Sequence, residues 1–265
     1  DIETMHHCRQ PIVVTNPGTG AATGVVVEED VPPGLIHVAG AELEYEIGTL
    51  RPGEVRAMPV PWFAPGGPGA LRAAVFGAPP PRLAAGRVTL RALTDHDADQ
   101  IQLTCTDPQT TRWTDIPVPY TTADALAAVR TRAPELWRRG EAAAFGIAGP
   151  DDEYLGSIDL RISEEDREVG SVSFLIAPQA RGLGYATDAV RAVCAWGFSA
   201  LGLTRIVWRA YVGNTTSRRV AEKAGFTMEG TQRASCTQRG ERRDAWVAAL
   251  LAAGAGQEAE TTCPG

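Results

Sequence analysis

Residues 178–190, PQARGLGYATDAV, place an arginine and two glycines directly ahead of a run with helical period. Behind the loop, Ala189, Val190, Val193, Cys194, Gly197, Phe198 and Leu201 recur at the three- and four-residue steps of a helix packed on a sheet. A helix anchored by such a stripe has its first N–H groups fixed in direction, here over Arg181 to Ala186. Unpaired donors and the helix dipole then attract an anion. Gly182 and Gly184 remove the side chains that would hold a phosphate away, and they permit positive φ. Hydrogen bonds to charged groups contribute roughly 1.5–3 kcal/mol each, so a few amides can dominate the binding of a diphosphate. A plain surface turn is the competing reading, and the flanking segments decide between the two.

Those segments mix strands and helices. VTLRAL (88–93) alternates as a strand, and DHDADQIQLTCTD reads as a helix with Asp95 as its N-cap. TTADALAAVRTRAPELWRRG is a second helix interrupted near Pro134. AAFGIA (143–148), LGSIDLRI (155–162) and SVSFLIA (171–177) read as consecutive antiparallel strands. After the glycine loop and its helix come a strand at 204–212, a helix at 216–225 with Gly225 suited to its C-cap, and a closing strand in RRDAWVAALL. A P-loop is excluded because no Gly-Lys-Ser/Thr is present. A Rossmann fingerprint is excluded as well: its third glycine position is Thr187, and the preceding strand belongs to an antiparallel run.

The order strand, strand, strand, Arg-x-x-Gly-x-Ala, helix, strand, Asn-x-x-Ser helix resembles the GNAT superfamily of N-acetyltransferases. Arg181-Gly182-Leu183-Gly184-Tyr185-Ala186 fits that family's acetyl-CoA motif. VGNTTSRRVAEKAGFTMEGTQR matches its second motif, with Asn214, Ser217, Glu222, Lys223, Gly225, Phe226 and Gly230 in register. RWTDIPVPYT before a helix and GERRD before the last strand look like the RimJ/RimL branch. The likeness covers about residues 86–250. It implies an α/β chain with the mixed sheet of the acyl-CoA N-acyltransferase fold, preceded by a short all-β segment.

The resemblance also implies roles. The strands at 171–177 and 204–212 would splay apart and leave a gap for the pantetheine arm of acetyl-CoA, the co-substrate. Main-chain amides near Phe174, Leu175 and Ile176 would polarise the acetyl carbonyl. Residues 181–186, with Thr187 behind them, would take the diphosphate. Asn214 would bond the pantetheine arm, and Ser217 would stand nearest the departing sulfur. Plainer roles compete: Asn214 as a helix cap, Ser217 as a group satisfying the first helical turn, and Arg181 as the partner of an acid. Trp113, Tyr120 and Asp159 are candidates on the acceptor side, with the two aromatics equally readable as core.

No general base follows the family pattern. Many relatives carry a carboxylate where this chain has Ser171, and a glutamate of RimL-like enzymes aligns with Cys236. Asp159 or Glu168 could act through water, or could be solvated charges. At pH 7 an α-amine of pKa about 7.8 is neutral in roughly one molecule in seven, a lysine amine in about one in 2,500. An enzyme without a strong base therefore favours a protein N-terminal α-amine. A small-molecule amine is the alternative acceptor, and a non-catalytic surface protein on a degenerate version of the fold is the alternative class.

Composition narrows the partners. The net charge of −7 resides mainly in residues 1–81, at −5, while residues 82–250 are neutral. No segment is basic enough to mark a nucleic-acid surface. No stretch reaches about 18 apolar residues, so no membrane span is expected. Cys8, Cys105, Cys194, Cys236 and Cys263 are odd in number and widely spaced, against a disulfide framework or a structural zinc. A metal role for His6, His7 and Cys8 is weak. No metal, membrane or nucleic-acid partner is expected, and a homodimer stays open.

The Pro- and Gly-rich residues 62–86 read as a linker between a β-rich segment at 1–61 and the transferase domain at 87–252. The front segment resembles part of an Ig-like repeat of bacterial surface proteins. In it ELEYEIG alternates as a strand with one wet and one buried face. Residues 253–265 read as a disordered tail. The chain opens at Asp1 with neither initiator methionine nor signal-peptide pattern, which leaves a processed or shortened start open. The acetyl-CoA motifs point to the cytoplasm.

Overall fold

The computed structural model describes residues 7–16, 19–30, 36–37, 42–52, 55–63 and 67–253. Two compact units divide the chain, residues 1–77 with 199–202 and residues 78–198 with 203–265.

The first unit carries the strands β1 (His7–Thr15), β2 (Ala22–Asp30), β3 (Ile36–His37), β4 (Glu42–Leu50) and β5 (Val55–Phe63) in the segment expected to be β-rich. They form one sheet in the order β1-β5-β3 and a second pair, β2-β4. β1 and β5 stay in antiparallel register from His7↔Phe63 to Thr15↔Val55. Asn16 closes a turn by donating from Nδ2 to the Gly20 and Leu50 carbonyls, both at 2.9 Å. α1 (Gly67–Phe76) lies inside the stretch read as a linker. Its leading glycines and proline dominate the composition, but Pro68 sits where a first turn tolerates it, and ALRAAVF is a good helix former. The faces expected for ELEYEIG, the His6–Cys8 cluster and the tail from 254 fall on side chains or residues outside those described.

The second unit is built on an eight-stranded sheet. Its elements run β6 (Leu83–Ala85), β7 (Val88–Arg91), α2 (Ala98–Thr106), α3 (Pro108–Trp113), α4 (Thr122–Ala127), α5 (Ala133–Arg138), β8 (Ala142–Ala148), β9 (Tyr154–Ile162) and β10 (Val169–Ile176). Then follow α6 (Tyr185–Leu201), β11 (Arg205–Tyr211), α7 (Thr215–Ala224), β12 (Thr227–Gln238) and β13 (Glu241–Leu251). The spatial order is β12-β13-β11-β10-β9-β8-β7-β6. β10 and β11, joined through α6, are the parallel pair.

The apolar stripe of α6 packs on the sheet as its spacing predicts: Ala189, Val190, Val193 and Cys194 are buried with Leu160 and Ile206. A Cβ on Gly197 would come within 2.7 Å of a Leu160 methyl, so a glycine there lets helix and sheet close up. Burial pushes the Cys194 thiol up to about 12, which makes it an inert core residue.

One local reading is corrected, a second gains its geometry, and one strand is added. Asp95 does not cap the first helix. A 3₁₀ turn at Asp95–Asp97 precedes α2, and Asp97 accepts from the Thr94 amide at 2.7 Å while Asp95 pairs with Arg130 at 2.8 Å. The physical reason is Arg91, buried at 5% exposure, whose guanidinium takes both Asp97 oxygens at 2.8 and 2.9 Å. The break near Pro134 is a π turn at Ala128–Arg132, wide enough to accommodate the proline that opens α5. β12 carries no strand signal because nearly all its residues are exposed and bulges follow Met228 and Gln232.

Candidate active site

The fork in the sheet is set by register. β10 and β11 pair from Val169↔Arg205 only as far as Val172↔Trp208. Beyond that point β10 stays on β9, through Ile176↔Gly156, and β11 stays on β13, through Tyr211↔Ala245. The Ala177 amide donates to the Leu155 carbonyl at 2.9 Å, so odd-numbered residues of β10 turn their main chain toward β9. By the two-residue alternation, Phe174 and Ile176 direct theirs into the gap. Leu175 faces β9, and its carbonyl lies so close to Gly156 that a Cβ there would stand 2.3 Å away. Of the expected carbonyl-polarising group, the gap thus receives the amides of Phe174 and Ile176.

One step on, a 3₁₀ turn at Pro178–Ala180 leads into the glycine loop, with Gly182 at φ +78° and Gly184 at φ +86°. Among the described residues, the amides of Gly182, Leu183, Gly184, Tyr185 and Ala186 find no main-chain acceptor. Thr187 is not one of them: its amide donates to the Gly184 carbonyl at 3.0 Å. Five bare donors ahead of a packed helix have the geometry that suits an anion. Arg181 does not point its charge at that seat. Its guanidinium pairs with Asp107 at 2.9 Å, donates to Thr110 Oγ1 at 3.0 Å and to the Ile176 carbonyl at 3.2 Å. The acid-pairing alternative describes this side chain, which braces the loop while the backbone stays open.

Sequence reasoning missed Arg87. Its Nη1 donates to the Leu183 carbonyl at 2.7 Å, and its Nε and Nη2 hold Asp188 at 2.9 and 2.8 Å. It also lies 5.4 Å from the Tyr185 ring centroid. An arginine that fixes a loop carbonyl and the first turn of the next helix leaves no periodic trace in sequence.

At the other edge of the gap, Asn214 caps α7 by accepting from the Ser217 amide at 3.2 Å. This is the cap reading, and it leaves the Asn214 Nδ2 donors without a partner among the described residues. Ser217 Oγ accepts from the indole N–H of Trp208 at 3.2 Å. Trp113 sits beside the same turn, since a Cβ on Gly213 would meet its ring at 3.4 Å, and Arg112 lies 4.9 Å from its centroid. The β12–β13 turn ties this segment down: Gln238 Nε2 donates to the Arg112 and Thr114 carbonyls at 2.8 and 3.0 Å. Tyr120 is not on an open wall. It is buried with Cys105, and burial pushes the phenol up to about 12 and the thiol up to about 11.

Among candidate bases, Asp159 lies opposite Ser173, the first β10 residue beyond the fork. Its side chain is 32% exposed, and Arg161 stands 3.6 Å away. Burial raises its pKa despite that arginine. Glu168 precedes the paired end of β10, about 16 Å of strand from Ser173, and is thereby removed from the reacting centre. Cys236 lies in the long hairpin opposite Arg243. No cluster of three His, Cys, Asp or Glu among the described residues could hold a metal ion, and no described helix is long and apolar enough to cross a membrane.

A mixed sheet opened between two parallel strands, with a bare-amide loop at its mouth, defines an acyl-CoA-dependent N-acyltransferase. The family model for the acetyltransferase (GNAT) domain matches residues 87–227, more than half of the chain, and the chain belongs to that family. It is an N-acetyltransferase, and acetyl-CoA is its co-substrate. The uncharacterized N-acetyltransferase YoaA of Bacillus subtilis (strain 168) is 28% identical over 172 residues, spanning 64% of this chain and 97% of YoaA. The RimL ribosomal L7/L12 alpha-N-protein acetyltransferase in complex with coenzyme A superposes with a TM-score of 0.58 at 19% identity. That match covers 64% of this chain and 98% of RimL. Mycobacterium smegmatis RimJ in complex with CoA-disulfide gives 0.56 at 24% identity, over 67% and 88% of the two chains. At these identities the structural likeness establishes the fold.

Proposed function

We propose that the protein transfers the acetyl group of acetyl-CoA to a protein N-terminal α-amine by direct attack within a ternary complex. The observation that carries the reading is the fork: amides of Phe174 and Ile176 open on the gap, with the bare-amide loop at its mouth. The RimL and RimJ neighbours lend it support. In this reading those amides stabilise the oxygen of the tetrahedral intermediate. The loop holds the diphosphate, and Asn214 Nδ2 bonds the pantetheine arm. The amine nitrogen bonds to the carbonyl carbon, the C–S bond breaks, and the sulfur takes a proton from Ser217 Oγ. Ser217 regains a proton from the amine through water.

Acceptor choice follows from basicity. Asp159, opposite Ser173 at the start of the fork, is the candidate group to receive the incoming amine. Even with its pKa raised by burial, a carboxyl is a far weaker base than a lysine amine and deprotonates its ammonium poorly, whereas an α-amine supplies its own neutral fraction. Because the reaction draws on acetyl-CoA, the proposed place of action is the cytoplasm.

Thiol release from acetyl-CoA should be fast with peptides bearing a free N-terminus and slow with N-blocked lysine peptides. The rate on α-amines should rise with pH and level off above about 8, as the amine loses its proton. Turnover on lysine peptides or on small amines with none on free N-termini would overturn the assignment.

A further inference from the structure

We infer that Trp208 is a positioning residue for the departing thiol: its indole N–H orients the hydroxyl of Ser217 so that the Ser217 proton faces the sulfur. The inference rests on the role proposed for Ser217. Trp208 is the last β11 residue in register with β10, so its ring stands at the root of the fork. It is 2% exposed. A buried indole N–H needs an acceptor, and the one it has among the described residues is Ser217 Oγ, at 3.2 Å.

That bond determines what the serine has left to give. A hydroxyl in a helix ordinarily spends its proton on a carbonyl one turn back. Thr104 does so toward Gln100 at 2.7 Å and Thr106 toward Gln102 at 2.9 Å. Ser217 does not. The carbonyl one turn back, that of Gly213, accepts from the Thr215 amide at 2.8 Å, and no described group accepts the Ser217 proton. The residue is held twice, by Asn214 on its amide and by Trp208 on its oxygen. With an N–H pointing at one lone pair, the O–H cannot turn toward the indole. Accepting that bond also polarises the O–H and makes it a better donor. The indole takes no part in the proton balance, which stays as above: the sulfur gains the Ser217 proton, and Ser217 regains one from the amine. It sets direction alone.

A double-mutant cycle on the full chain tests this with acetyl-CoA and whichever amine proves fastest. Trp208→Phe should lower kcat by about 3- to 10-fold, the worth of one neutral hydrogen bond, with KM for acetyl-CoA unchanged. Ser217→Ala should lower kcat by roughly 10-fold or more. Adding Trp208→Phe to Ser217→Ala should then cost nothing further, because the bond no longer has an acceptor. Equal slowing by Trp208→Phe in both backgrounds, or no slowing in the wild type, overturns the inference and leaves the Ser217 role intact. A Ser217→Ala variant as fast as wild type removes both. Should Trp208→Phe melt early, 3-benzothienylalanine at position 208 keeps the ring shape and lacks the N–H, and the same outcomes decide.

Discussion

Gly184→Val should weaken acetyl-CoA binding by at least about 100-fold while the protein stays folded. Gly184 adopts φ +86°, where a β-branched side chain is strained. Its Cβ would also stand 2.5 Å from a terminal nitrogen of Arg87. Valine therefore displaces the guanidinium that holds the Leu183 carbonyl and Asp188. Once that brace moves, the peptide planes of 183 and 184 turn and their amides leave the diphosphate seat. Losing two charge-assisted bonds of about 1.5 kcal/mol each corresponds to a 100-fold rise in Kd. Calorimetric titration with acetyl-CoA measures it, and the melting temperature without ligand checks the fold. Unchanged affinity would show that the loop amides are not the seat.

The largest effect on stability is expected at Arg91. Its side chain is 6% exposed and that of Asp97 4%. Arg91 also donates to the Ala92 and Asp152 carbonyls at 3.0 and 2.9 Å. Arg91→Ala leaves a buried carboxylate without its partner, which costs about 3–5 kcal/mol. Urea unfolding followed by tryptophan fluorescence reads the change. Replacing both partners with Arg91→Met and Asp97→Leu should recover much of it.

The pH dependence adds a sign. Burial alone would raise the Asp97 carboxyl, but the bonds from Arg91 and Thr94 outweigh it and hold it below the usual carboxylate range. A folded-state pKa below the unfolded one stabilises at higher pH and loses that contribution as pH falls through the folded value. The wild type should therefore weaken below about pH 4. In Arg91→Ala only the Thr94 bonds still oppose burial, so the Asp97 pKa rises and the acid-side slope from this group should shrink. A variant that unfolds with the wild-type slope would exclude the pair as its origin.

The fold was legible wherever burial imposed a period. The stripe of α6 and the three antiparallel strands left a pattern because their faces are buried in the sheet, and the glycine loop left one through its positive φ angles. β12 left none, being exposed along both faces, and α1 was hidden by the prolines and glycines around it. In the site, main-chain groups were easier to foresee than side chains. Glycines and helix period announce bare amides, whereas the direction of a long side chain depends on partners distant in sequence. Arg181 turned to Asp107, Asp95 to Arg130, and Arg87 to a loop about a hundred residues away. Trp208 offered only hydrophobicity, since its acceptor lies on the following helix.

The grip of Arg181 bears on how such an enzyme can change. One planar cation joins the Ile176 carbonyl, Asp107 and Thr110, and a lysine in its place could not reach all three in a fixed fork. Variation in Asp107 or at the start of α3 would therefore be felt at the Ile176 carbonyl and at the glycine loop through this residue. Change in that helix is thereby coupled to the loop, and a substitution at Asp107 or Thr110 should disturb the end of β10 as well as α3.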